Sequence, residues 1–129
     1  MYDRLFGGDR FIAVTRALDA AALRHQVIAH NLANVNTPGF KRQEVHFETE
    51  LQRALAQKRN PCLPPGHNPL QEVRPRVVTI TQTGERTDGN NVNLESETVQ
   101  MAVNALRYEV LARSIGGTFR SLRTVINGR

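Results

Sequence analysis

Two apolar stripes with a strict seven-residue repeat bracket this chain, and they limit its fold more than any other feature. The first runs Phe11, Val14, Leu18, Ala21, His25, Ile28, Leu32, Val35, spaced alternately 3 and 4. The second runs Met101, Ala105, Tyr108, Ala112, Ile115, Phe119, Leu122, Ile126, spaced alternately 4 and 3. Stripes sustained for this long mark helices that lie along a partner, and a seven-residue repeat implies a left-handed twist around it. His25 is the polar member of the first stripe, and Ala21, Ala22 and Ala29 keep that face thin. Val99, Val103, Leu106 and Val110 widen the second. Its helix is expected to start at Asn93, a good N-cap, with Glu95 and Glu97 in the first turns, and to end at Gly128. About 33 residues at 1.5 Å each give a rod of about 50 Å. Gly116-Gly117 interrupts it, which predicts either a bend or the close approach of another backbone.

The first helix stops within Ile28–Arg42. Pro38 disfavours helical geometry at Thr37. Gly39 after it suits a type II turn, Asn36 suits a left-handed residue past the helix end, and Phe40 supplies an apolar foot. Asn31, Asn34 and Asn36 crowd this end where helix formers would serve better, so their amides are expected to make contacts of their own. Beyond the turn, Glu44–Phe47 alternates polar and apolar as an extended piece does. Phe47, Leu51, Ala54 and Leu55 then predict a helix of about ten residues ending near Lys58-Arg59. Asn60–Pro75 holds five of the six prolines and reads as a mobile loop. Val77–Thr81 is β-branched throughout and reads as a strand, its partner being either the piece near Val45 or a neighbouring subunit. Thr83–Asn91 is a turn-rich link, and Met1–Asp9 a loose lead. The fold class is therefore mainly α: long N- and C-terminal helices forming a coiled coil, with a loop-rich middle that contains a short helix and a small β element. The expected divisions are 1–37, 38–92 and 93–129, the two helices belonging to one discontinuous domain.

Composition removes several function classes. The net charge of +5 is spread along the chain, with Arg113, Arg120 and Arg123 the nearest approach to a cluster. A small helical nucleic-acid-binding protein is the alternative this charge allows. Cys62 is the single cysteine, so no intrachain disulfide forms. No apolar run approaches the roughly 18 residues of a membrane span, and Met1–Arg10 lacks the apolar core of a secretory signal. The paired glycines lack the Lys-Ser/Thr of a phosphate loop, and no His-Glu-x-x-His or nucleophile-elbow motif occurs. His25 and His30 are five apart, which does not place them on one helix face. Glu44 and Glu48 are four apart, a spacing that a solvated face explains. No catalytic, cofactor-binding or metal-binding residue is assigned, and the chain reads as a non-enzyme.

The stretch from Asn31 to Lys41 resembles the N-terminal signature of the flagellar rod and hook family, a pattern close to N-N-[IL]-A-N-x-[ND]-T-x-G-[FY]-[KR]. Asn31, Leu32, Ala33, Asn34, Asn36, Thr37, Gly39, Phe40 and Lys41 match it, and Pro38 fits the T-P-G version of proximal rod members. Arg86–Glu95 and the runs Leu106–Leu111 and Phe119–Arg129 are similar to the same family. The resemblance implies a structural subunit of the flagellar basal-body rod that assembles helically and transmits torque. It implies an inner-layer coiled coil whose seam includes Phe11, Val14, Leu18, Ile28, Leu32, Met101, Tyr108, Ile115, Phe119, Leu122 and Ile126. It implies as partners further copies of the chain, other rod subunits, the adaptor protein FliE, and through it the MS ring. It also implies export by the flagellar type III apparatus, without a cleaved signal peptide, to the rod in the periplasmic space.

Overall fold

Helix α1 spans Asp9–Ala33, and its sequence has no glycine or proline to interrupt it. Thr37-Pro38-Gly39-Phe40 then turns the chain back. Strand β1 is Gln43–His46, helix α2 is Glu48–Lys58, the short helix α3 is Pro69–Glu72, strand β2 is Arg76–Thr79, and helix α4 is Leu94–Asn127. These come from a computed structural model that describes residues 8–60, 62–82, 84 and 86–128. The lead expected over Met1–Asp9 lies outside the described residues except for its last two. The fold is mainly α, with two long terminal helices, a short helix and a small sheet between them, as the sequence implied.

Helices α1 and α4 lie side by side and antiparallel. Asn31 bonds Glu97, Asn104 bonds the Ala21 carbonyl, and the rings of Phe11 and Phe119 meet edge to face at 6.0 Å. Asn93 caps α4 by accepting from the Ser96 N–H at 2.9 Å, and Gly128 closes it in a left-handed conformation. Gly116-Gly117 neither breaks α4 nor admits a close backbone, since a Cβ at either position would meet nothing within 4 Å.

The seam between the long helices differs from the pure apolar stripes. On α4 it is Glu97, Met101, Asn104, Leu111, Ile115 and Leu122, of which Glu97 and Asn104 are buried and the rest half-buried. Tyr108, Phe119 and Ile126 are exposed, with Ile126 at 79%. On α1, Ala21, Ile28 and Asn31 are buried, Phe11, Val14, Leu18 and Leu32 are half-buried, and His25 is exposed. His25 and Ala22 lie at the exposed rim of this seam, beside Ala105 and Tyr108, and Ala29 is exposed. A polar seam escapes a count of apolar residues because Asn31 and Glu97, and Asn104 through its Nδ2, meet burial with hydrogen bonds rather than hydrophobicity.

The other side of α1 carries the apolar core. Ala20, Phe47, Ala54, Leu70 and Val73 are buried together, with Ile12, Ala17 and Leu51 packed on them. Here the reading of Asn60–Pro75 as one mobile loop is corrected. Asn68 caps α3 by accepting from the Leu70 N–H, Pro69 sits in the first turn, and Leu70 is wholly buried. Burial of a leucine is worth roughly 1.5–3 kcal/mol, enough to pin this half of the segment. The strands pair antiparallel with Val45 opposite Val77, so the piece near Val45 is the partner of β2.

Candidate functional site

The signature residues meet three other parts of the chain at the C-terminal end of α1. Asn31 is the hub and is 0% exposed. Its Nδ2 donates to the Gln43 carbonyl at 2.8 Å and to Glu97 Oε2 at 3.0 Å, and its Oδ1 accepts from the Gln43 N–H at 3.0 Å. One amide thus joins α1, β1 and α4. Glu97, expected in the first turns of the helix, is wholly buried. It accepts from the Arg42 guanidinium, which also reaches Glu44. Burial acts to lower the Arg42 pKa, but the hydrogen bonds to Glu97 and Glu44 outweigh it and hold the group above its ordinary value.

The turn itself docks on the 86–92 link. Asn34 ends α1, its Nδ2 donating to the His30 carbonyl and its Oδ1 accepting from Thr37 Oγ1 at 3.2 Å. Thr37 accepts from the Phe40 N–H at 3.2 Å and Gly39 has φ +72°, the type II geometry the sequence predicted. Described non-glycine residues all have negative φ, so Asn36 is not left-handed, and that expectation is corrected. It is exposed, as are Ala33 and Pro38, while Phe40 packs edge-on against His30 at 5.3 Å. Gly39 donates its N–H to the Asp88 carbonyl at 2.8 Å, and a Cβ on Gly89 would stand 3.6 Å from the Gly39 Cα. Two tight turns therefore meet backbone to backbone. Lys41 Nζ donates to the Gly89 carbonyl.

Two asparagines of the link complete the junction, and sequence reasoning missed both. Asn90, 0% exposed, shares its Nδ2 among the carbonyls of Asn34, Val35 and Thr37 at 2.9–3.2 Å. It caps the end of α1 from 53–56 residues away. Asn91 accepts from the Arg42 N–H and donates to the Ile80 carbonyl, standing in for a rung where the two strands part. Asp88 supports the link by accepting from the Asn90 N–H. That bond, helped by Arg86 and opposed by desolvation, holds its carboxyl below the ordinary value. Asn-Asn after Asp-Gly reads as turn composition, and only the distant partners give these amides another role. Glu44 and Glu48, considered as a pair, go to different arginines, Arg42 and Arg24.

The second feature of interest is an open apolar groove along α4, walled on its other side by Ala17 and Ala20 of α1 and by Phe47 and Leu51. Val99, Val103, Leu106 and Val110 are 63%, 42%, 64% and 67% exposed, and Val125 and Ile126 nearly 80%. Spacings of 4, 3 and 4 place the first four on one strip. This is an apolar surface that the fold leaves open, on a chain with no described helix long and apolar enough to cross a membrane.

The family profile described as "Flagella basal body rod protein" matches residues 13–41, which are α1 from Ala13 onward and the turn through Lys41. A flagellar basal body rod protein FlgB of Borrelia hermsii is 37% identical over 122 residues, covering 86% of this chain and 90% of that protein. The chain belongs to the FlgB family of flagellar basal body rod proteins. FlgB of Bacillus subtilis is 29% identical over 87% of this chain and 88% of its own, and FlgB of Salmonella typhimurium 30% over 99% of each. The FlgB family is structural rather than enzymatic, and it makes this chain a structural rod subunit. The nucleic-acid-binding alternative finds no support: Arg113 pairs with Glu109, and Phe119 packs on Phe11 rather than offering a stacking face.

Proposed function

We propose that this chain serves at the proximal end of the rod, joining the MS ring through FliE to the remaining rod subunits and carrying torque across the periplasmic space. The type III export apparatus delivers it there without a cleaved signal peptide. The long helices form one discontinuous domain and complete a coiled coil with neighbouring subunits, further copies of the chain among them. The seam residues expected from the repeats divide between two tasks. Phe11, Val14, Leu18, Ile28, Leu32, Met101, Ile115, Phe119 and Leu122 hold α1 to α4, and Tyr108 and Ile126, on a different face of α4 from the strip Val99 to Val110, are left to meet neighbours.

The observation that carries this reading is that strip: four branched apolar side chains stand open on α4 while its inward face is partly polar. Burying one of them is worth roughly 1.5–3 kcal/mol, repeated at every subunit contact. The test is Leu106→Asp in cells whose basal bodies are purified and imaged with the chain labelled. The variant is expected to fold and leave the cytoplasm but to be missing from the rod. Normal incorporation of Leu106→Asp would show that the strip is not the assembly surface.

A further inference from the structure

Among the described residues, strand β2 forms one pairing and leaves its other edge open. The register sets Gln43 opposite Thr79 and Val45 opposite Val77. The N–H and C=O of Gln43 are taken by Asn31, on the side away from β2, and the Val45 carbonyl accepts from Arg24. In an antiparallel ladder, residues opposite each other turn their backbone groups the same way, toward or away from the partner. The N–H and C=O of Val77 and Thr79 therefore point outward. All four residues of β2 are exposed, Val77 at 46% and Val78 at 37%. Exposed edges are ordinarily blunted by proline, a bulge or an inward charge. β2 is short, with Pro75 before it and Arg76 at its start, but its last three residues, Val, Val and Thr, carry no proline or charge. At its start the edge is basic: Arg74 and Arg76 are exposed, and neither meets a carboxylate among the described residues.

We propose that β2 is completed in the assembled rod by an extended segment of a different rod subunit, added at this edge. The segment runs small or β-branched side chains past Val77 and Thr79 and places a carboxylate beside Arg76. Main-chain bonding supplies the attachment, and the charge pair sets which segment fits. A second copy of β2 is a poor occupant, because Arg76–Thr79 has no acid to offer. The proposal rests on the chain being a rod subunit.

The test uses Val77→Pro and Thr79→Pro. Each removes one outward donor and leaves the bonds to β1 in place, the situation in which an edge strand tolerates proline. Both variants are expected to melt like the wild type, yet to be recovered in purified basal bodies about tenfold less, the scale of one lost hydrogen bond with its acceptor left unpaired. Arg76→Glu should lose incorporation similarly and Arg76→Lys should keep it. Normal incorporation of both proline variants overturns the proposal, whereas absence of the wild-type chain from basal bodies overturns the rod reading itself. Should the proline variants misfold, amide exchange on the wild type decides. Val77 and Thr79 amides must exchange freely in the purified chain and slow in the rod. Protection already present in the purified chain would assign the edge to a second copy, and no protection in the rod would leave it unpaired; either result overturns the proposal.

Discussion

Replacing Asn31 by alanine should be among the costliest changes to any amide in the chain. The side chain is 0% exposed and makes three hydrogen bonds, two to the Gln43 backbone and one to Glu97. Asn31→Ala removes all three and leaves the Gln43 N–H, the Gln43 carbonyl and the buried Glu97 Oε2 each short of a partner. Net hydrogen bonds contribute about 1 kcal/mol, and an unpaired buried group costs about 1–3 kcal/mol. Partial relaxation and water entry reduce the sum, so we expect a loss of about 3–5 kcal/mol. A small domain has roughly 5–15 kcal/mol in all, and the loss corresponds to a fall in Tm of roughly 10–20 °C. Urea titration followed by far-ultraviolet circular dichroism measures it directly. Asn31→Asp sharpens the test, since it keeps the shape, removes both donors and sets a second carboxylate beside Glu97. Its cost should match or exceed that of alanine at neutral pH and shrink in acid, where a protonated carboxyl donates again. A loss under about 1 kcal/mol in either variant would refute the hub role.

Asn104 behaves in the opposite way: its Nδ2 bonds the Ala21 carbonyl while its buried Oδ1 has no partner among the described residues, so Asn104→Leu should leave stability unchanged or raise it by about 1 kcal/mol by the same urea titration. Gly39→Val should destabilise by about 1–2 kcal/mol through its φ of +72° alone, because a Cβ there meets no atom within 4 Å; Gly116→Ala, in open space inside α4, should stabilise by about 1 kcal/mol, and thermal melts compare the two. Burial pushes the Glu48 carboxyl up, but its own backbone N–H and the Arg24 guanidinium at 2.8 Å outweigh this and hold it below the ordinary value. The pair therefore adds stability above the ordinary carboxylate range and loses it as pH falls through the lowered pKa, by under about 1 kcal/mol at this exposed site. Arg24→Met should move the Glu48 titration upward in a carbon-detected NMR experiment.

Local signals were legible wherever backbone chemistry is decided within a few residues. The Asn93 cap, the Gly39 turn and the α2 helix after Phe47 all follow from neighbours in sequence, and all stand where expected. The repeat in α4 was legible in part: Met101, Ile115 and Leu122 face inward, but the alternate positions fall on Asn104 and Leu111 rather than Ala105 and Ala112. The seam had to admit Glu97 and Asn104, and a polar residue announces burial only through its partner. Those partners lie 66 and 83 residues away. The same separation hid Asn90 and Asn91. Leu70 was hidden differently, by prolines on both sides, although Asn68-Pro69 is itself a helix-start signal.

The antiparallel course of α1 and α4 has a mechanical consequence. Phe11 meets Phe119 while Asn31 meets Glu97, so the start of α1 and the end of α4 lie at one end of the pair and the amide junction at the other. A pull that draws these two helix ends apart loads the contacts in sequence, peeling α1 from α4 one turn at a time instead of shearing the whole seam at once. The early turns resist weakly, with half-buried Phe11, Val14 and Leu18 to separate. Resistance concentrates in the last turn, where Asn31, Glu97, Arg42 and Asn90 must part together. The junction is therefore the force bearing of the fold: threading this chain from its α1 end is gradual until that point and abrupt beyond it.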